Sequence, residues 1–88
     1  MGSALGRPEL EKTLVIARWH NLRTIVSEMI TSGVRSTRAQ AELVGLPTGR
    51  MKAILSGKQS MTSDEAREVE WSINVRYGWM DVYPHYEP

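Results

Sequence analysis

The stretch STRAQAELVGLPTGRMKAILSG, Ser36 to Gly57, decides the fold, because its small, apolar and glycine positions fall where two short helices crossing at a tight turn require them. Ala41 is small where the first helix must let the second approach. Gly45, four residues on, sits where the turn needs a residue tolerant of positive φ. Val44, Leu46, Met51 and Ile54 supply apolar contacts to a common core, while Arg38, Arg50, Lys52 and Lys58 are left to face outward. The spacing predicts a helix-turn-helix. An ordinary helical hairpin with a solvated charged face has the same pattern, and spacing alone does not separate the two.

Upstream of this stretch, Pro8 to about Thr31 contains no internal glycine or proline and reads as one helix, with Pro8 acceptable in the first turn and Gly33 just past the end. Leu14, Trp19, Leu22, Ile25, Val26 and Met29 give it a broad apolar stripe. The second helix is expected to begin at Ser36 or Thr37, with Thr37 and Gln40 forming a capping box, and to end before Gly45. The third runs from about Thr48 to Leu55 and stops at Gly57. A fourth opens at Thr62, where Thr62 and Glu65 form an S/T-x-x-E box, and continues to about Asn74 with Ala66, Val69 and Ile73 facing inward. The side taken by Trp71 is left open. From Tyr77 the chain holds Trp79, Tyr83, Tyr86 and two prolines, so an irregular tail is expected, with Trp79 plugging the core and Pro84 to Pro88 fraying. No alternation is long enough to build a sheet, and the class is all-α.

The run Ile54 to Asp81, ILSGKQSMTSDEAREVEWSINVRYGWMD, resembles the Cro/CI (XRE) family of bacterial and phage regulators. In that family the recognition helix ends at a Ser-Gly-Lys/Arg turn. A helix opened by Thr-x-x-x-Ala-Arg-x-x-Glu then leads to a Gly-Trp-Leu/Met-Asp close. This chain matches at Ser56, Gly57, Lys58, Thr62, Ala66, Arg67, Glu70, Gly78, Trp79, Met80 and Asp81. Asn21, Leu22 and Arg23 resemble the Asn-Leu-Arg with which the first helix of many such domains begins. The resemblance spans Ala17 to Asp81, about three quarters of the chain, and implies a lambda-repressor-like domain of four to five helices. It divides a single helix-turn-helix domain, 1–88, into an N-terminal helical extension (1–20), a family-like core (21–81) and a tail (82–88).

Because the family's first helix starts near Asn21, Glu9 to His20 is either a forward extension of it or a separate helix meeting it. Its Leu10, Leu14, Val15, Ile16 and Trp19 need a partner surface in both cases. Two positions depart from the family pattern. Gln40 stands where a buried Leu is usual, and Gly49 lies in the front turn of the recognition helix, where Ser, Thr or Gln is commoner. A glycine inside a helix costs about 1 kcal/mol relative to alanine. Either that turn is distorted, or the missing side chain lets backbone approach a phosphate or base. The family's autoproteolytic C-terminal domain has no counterpart in the sequence, so a Cro-sized regulator without self-cleavage is expected.

At 88 residues and 41% hydrophobic content the chain can build one small domain with a modest core, in the size range where a second subunit often adds stability. The absence of cysteine excludes a disulfide framework and a thiolate metal site, and fits a reducing compartment. No apolar run reaches membrane-span length, and charged residues stand where a signal peptide places its hydrophobic stretch. A cytoplasmic, nucleoid-associated location is expected, with no membrane partner. The net charge of only +1 argues at first against nucleic acid, but its distribution is uneven. Arg35, Arg38, Arg50, Lys52 and Lys58 stand against Glu42 alone over residues 35–58, for +4. From Gln59 onward, Arg67 and Arg76 face Asp64, Glu65, Glu68, Glu70, Asp81 and Glu87, for −4. One basic face directed at phosphate explains this split; two solvated helix faces explain it equally.

Affinity for DNA is dominated by Lys and Arg at phosphates, and sequence choice by side chains at base edges in the major groove. The resemblance implies that the second helix of the motif enters the groove by its N-terminal half. Thr48, Gly49, Arg50, Lys52 and Ala53 are then the base-contacting candidates. Arg50 and Lys52 carry donors suited to guanine O6 and N7, and one or the other is expected to read; Thr48 suits a phosphate or a thymine methyl. Thr37, Arg38, Ser56, Lys58 and Gln59 flank the groove as candidate contacts to the DNA backbone. Met51, Ile54 and Leu55 orient the helix from behind.

The function implied is a sequence-specific double-stranded DNA-binding transcriptional regulator, a repressor of phage, plasmid or bacterial origin, acting as a homodimer on two half-sites. The alternative is a helix-turn-helix scaffold that grips another protein, as a phage inhibitor or antitoxin does, through the apolar extension or the aromatic tail. An enzyme is not expected. His20 and His85 are isolated, Asp64, Glu65 and Glu68 read as first-turn helix carboxylates, and Lys52 stands where a P-loop ending in Gly57-Lys58 requires glycine. No metal or cofactor is expected, and Trp19, Trp71 and Trp79 are read as core bulk rather than base-stacking platforms.

Overall fold

The structure, a computed structural model, describes residues 7–85, with side chains from Leu10 onward. All regular elements in that range are helical: α1 (Arg7–Thr31), α2 (Thr37–Val44), α3 (Thr48–Leu55) and α4 (Ser63–Ile73), followed by one 3-10 turn, Trp79–Asp81. Residues 1–6 of the expected extension and 86–88 of the expected tail, Tyr86 included, lie outside the described residues. No helix among the described residues is long and apolar enough to cross a membrane.

α1 is one unbroken helix of 25 residues, as a stretch lacking internal glycine and proline allows. Of the two alternatives for Glu9 to His20, the structure has the forward extension: the segment runs on into the helix through Asn21 and is not a separate helix. Ala17 and Arg18 are already buried, so the core begins before Asn21. Only the turns bearing Leu10 and Ile16 remain outside it, with both side chains exposed.

α2 starts one residue away from the box expected at Thr37 and Gln40. Ser36 is its N-cap, its hydroxyl accepting the Ala39 N–H at 3.1 Å. Gln40 is instead buried, where its Nε2 donates to the Val34 carbonyl at 2.9 Å. This satisfies a loop carbonyl that a Leu at the same place leaves unpaired. Three residues, Gly45 to Pro47, connect α2 to α3. Gly45 has φ 80°, and its N–H returns to the Ala41 carbonyl at 2.9 Å. A Cβ on Gly45 lies 2.4 Å from Ser72 Oγ and 3.1 Å from Glu68 Cγ, so the turn needs glycine both for its conformation and for the approach of α4.

The core gathers every element. Leu22 and Ile25 from α1, Ala41 and Val44 from α2, Leu46, Met51 and Ile54 around α3, Met61, Ala66 and Val69 around α4, and Met80 form one buried cluster. Each of the larger side chains contributes about 1.5–3 kcal/mol of transfer free energy. Ile73 and Trp79 pack against the cluster half-buried, and Trp71 is on the outside, 83% exposed.

A second, polar core lies between α1, α4 and the 3-10 turn. Glu70, 2% exposed, accepts the Gly78 N–H at 3.0 Å, the Met80 N–H at 2.8 Å and Arg67 Nη2 at 2.9 Å. Arg67 Nε sits 2.8 Å from the same carboxylate without hydrogen-bond alignment. Asp81 bridges Arg67 Nη2 at 2.9 Å and Arg18 Nε at 2.7 Å. Arg18 also donates to the Met61 carbonyl and Ser63 Oγ. Asn21 turns its amide nitrogen to the carbonyls of Trp79, Met80 and Val82, so the Asn-Leu stretch holds down the tail from the middle of α1. The tail beyond it is not frayed as expected up to His85. Tyr83 stacks on His20 with centroids 4.3 Å apart, and His85 on Trp79 at 4.2 Å.

Gly45→Ala is expected to lower the unfolding free energy by about 1–2 kcal/mol from the left-handed backbone alone. Ser72 must also rotate away, so urea titration of Gly45→Ala should show a loss that Ser72→Ala only partly relieves. An unchanged midpoint would show that the turn does not need glycine.

Candidate nucleic-acid interface

α3 divides into two faces as a helix of period 3.6 requires. Met51 and Ile54 are buried and Leu55 half-buried, which fixes the inner side. Gly49, Lys52, Ala53 and Ser56, spaced i, i+3, i+4 and i+7, form the outer strip: Ala53 is half-buried and the other three are exposed. The strip consists of small residues around one long cation. Gly49 is helical with nothing within 4 Å of the place its Cβ would take, so the front turn carries no distortion that explains the glycine.

The front of α3 differs from those of its neighbours. Ser36 caps α2 and the reciprocal Thr62–Glu65 box caps α4, but α3 begins after Pro47 with no side-chain cap. Its first N–H groups therefore point outward beside half-buried Thr48, an electropositive helix end.

The cations expected around this helix separate into free and engaged. Arg35, Arg38, Lys52 and Lys58 are exposed and form no ion pair among the described residues. Arg50 corrects the expectation that it faces outward free. Its Nε donates to Glu65 Oε2 at 2.5 Å and its Nη2 to Glu65 Oε1 at 2.9 Å. The same Nη2 donates to the Ser60 carbonyl at 2.8 Å, and Nη1 donates to Gln59 Oε1. The hydrogen bonds that Arg50 donates to Glu65 raise the Arg50 pKa above its ordinary value against a smaller effect of desolvation. On Glu65, the bond from Arg50 leads and partial burial opposes, and the carboxyl is held below its ordinary value.

Among the flanking candidates, Arg38 and Lys58 are exposed, and Thr37 is half-buried at the first residue of α2. Ser56 is exposed, its hydroxyl donating to the Ala53 carbonyl at 3.1 Å. Gln59 is exposed, with its oxygen engaged by Arg50. Sequence reasoning missed Glu65 and Ser60 as partners of α3. Glu65 was legible as a capping residue, but nothing local marks its second bond to an arginine 15 positions earlier. Among the described residues, no group of three His, Asp or Glu side chains is placed to hold a metal ion.

Two outcomes follow from this geometry. Glu65 stabilises the fold while ionised, fully above the ordinary carboxylate range, and that contribution is lost as pH falls through its lowered pKa. Wild type should thus lose more stability than Glu65→Gln between pH 7 and about pH 3 in denaturant titrations; equal losses would remove Glu65 from the acid response. Gly49→Ala should raise the unfolding free energy by about 0.5–1 kcal/mol, because the site is open and helical. A lowered thermal midpoint would show a constraint on Gly49 in the folded chain itself.

No family model matches the chain, and neither a curated protein nor a solved structure matches it.

Proposed function

We propose that this chain is a sequence-specific double-stranded DNA-binding regulator of the Cro/CI (XRE) kind, with a lambda-repressor-like arrangement in which α2, turn and α3 act as the helix-turn-helix. One observation carries the reading: the outer strip of α3 is small except for Lys52, and it is flanked by the unpaired cations Arg38 and Lys58. A helix of that profile enters a groove about 12 Å wide without steric conflict. Lys52 then reaches guanine O6 or N7, and the Ala53 methyl meets a thymine methyl. Thr48 and the uncapped N–H groups of α3 suit a phosphate at the groove edge.

Arg35, Arg38 and Lys58 supply the salt-dependent part of binding, and Thr37, Ser56 and the amide of Gln59 supply neutral donors at the backbone. Arg50 has a different place in this reading, since its guanidinium is engaged by Glu65. A homodimer on two half-sites about one helical turn apart gives such a small reader adequate affinity and site length. Repression of transcription in the cytoplasm, at the nucleoid, is the corresponding role.

A second reading is favoured by exposed apolar side chains on α1 and α4. Trp71 is 83% exposed, and Leu10 and Ile16 stand half out of the fold, features that suit a protein partner.

The test is selection of bound fragments from random duplex DNA at about 0.15 M salt, with wild type, Lys52→Ala and Arg38→Ala. Wild type is expected to enrich a near-palindromic motif. Lys52→Ala should relax preference at one position of each half-site, at a cost of about 1–3 kcal/mol. Arg38→Ala should weaken all duplexes alike. Enrichment of no motif by wild type would discard the regulator reading in favour of a protein partner.

A further inference from the structure

The notable feature of α3 is how its arginine is used. A guanidinium has five N–H donors. Arg50 spends four of them on partners within its own chain, on both oxygens of Glu65, on the Ser60 carbonyl and on Gln59. The one left cannot form the paired donor edge that bidentate reading of guanine needs. Its acceptor is itself anchored. Glu65 Oε1 also accepts the Thr62 N–H at 2.9 Å, while Thr62 Oγ1 accepts the Glu65 N–H at 3.1 Å. Behind that box, α4 is fixed by buried Ala66, Val69 and Glu70.

The angular positions agree with the hydrogen bonds. At about 100° per residue, Arg50 and Lys52 point about 200° apart around the helix axis. Holding Arg50 against the N-terminus of α4 therefore turns Lys52 toward the opposite side. Met51 and Ile54 hold α3 by apolar contacts that resist lifting, but contacts of this kind tolerate small rotations better than a two-pronged ion pair does.

We propose that Arg50 is a positioning residue that sets the rotation of α3 through its two-pronged bond to Glu65, and that sequence choice on this helix falls to Lys52. The inference rests on the DNA-binding reading above. Arg50 acts through Glu65 and touches no base.

The experiment uses the full chain and the duplex recovered by wild type from random DNA, with a scrambled duplex of equal length as reference. Dissociation constants are measured by fluorescence anisotropy across about 0.05–0.3 M salt for wild type, Glu65→Gln, Arg50→Met, the double variant and Lys52→Met. Glutamine serves the same capping box as glutamate, so Glu65→Gln keeps the N-cap of α4 while losing the charged fork. Thermal midpoints accompany each measurement.

Glu65→Gln and Arg50→Met are each expected to cut the ratio of selected to scrambled affinity by about tenfold. The double variant should be no worse than either. The slope of log affinity against log salt should stay that of wild type for both, since no phosphate contact is lost. Lys52→Met should lose the ratio without altering the thermal midpoint. The proposal is overturned if Glu65→Gln leaves the ratio intact while Arg50→Met abolishes it, or if Arg50→Met lowers the slope by about one. Either result leaves the DNA-binding reading standing. If wild type recovers no duplex at all, that reading fails and the proposal with it.

Discussion

A carboxylate withdrawn from water organises this small protein. Glu70 is 2% exposed, and the desolvation of an ion costs several kcal/mol unless partners replace the lost water. Here the replacements come from Arg67 one turn earlier and from the main chain of Gly78 and Met80, so the segment after α4 must fold back over its own helix. That return delivers Asp81 between Arg67 and Arg18. Burial disfavours the charged Asp81, but the two guanidiniums outweigh it and hold its pKa below the ordinary value. Arg18 then fixes α1 against Met61 and Ser63 at the front of α4. Once α1 and α4 are locked in this way, the α2–α3 pair has one cradle to occupy, and Gly45 lets it sit against Ser72 and Glu68.

The same pairings revise the meaning of the charge distribution. The sequence divides into a basic middle and an acidic final third. In the fold, Glu65, Glu70 and Asp81 all face arginines within the protein, which leaves Asp64 and Glu68 as the exposed carboxylates of α4. Much of the acidic third is thus internal cement rather than a surface of opposite sign. The basic middle loses Arg50 to the same internal use but keeps Arg35, Arg38, Lys52 and Lys58. The face around α3 is therefore positive through fewer groups than the count suggests.

The local signals in the sequence translated well. The Thr62–Glu65 box opens α4, Gly45 closes α2, and the inward positions Val44, Leu46, Met51 and Ile54 are all buried. These features depend on neighbours within one or two turns, where spacing carries the information. What could not be read depends on residues far apart in the chain. Arg18 meets Asp81 across 63 positions, and Asn21 meets Met80 across 59. No pattern announces such pairs. The family resemblance puts Asn21 at the opening of a helix; here it sits mid-helix and spends its amide on the tail. At α3 the inward side of Met51 and Ile54 was legible from spacing, but the engagement of Arg50 by Glu65 was not, since an arginine at the edge of an apolar face can turn either way.

The continuity of α1 gives the molecule a rigid lever. One rod carries Leu10 and Ile16 toward its N-terminal end and Leu22 and Ile25 in the core, without a hinge between them. Torsion at the N-terminal end is therefore transmitted to the core with a fixed phase. Inserting one residue before Ala17 turns everything ahead of it by about 100°, whereas inserting seven returns it to within about 20° of its original bearing. Anything fastened to that end is aimed by residue count, as a gear is set by its teeth.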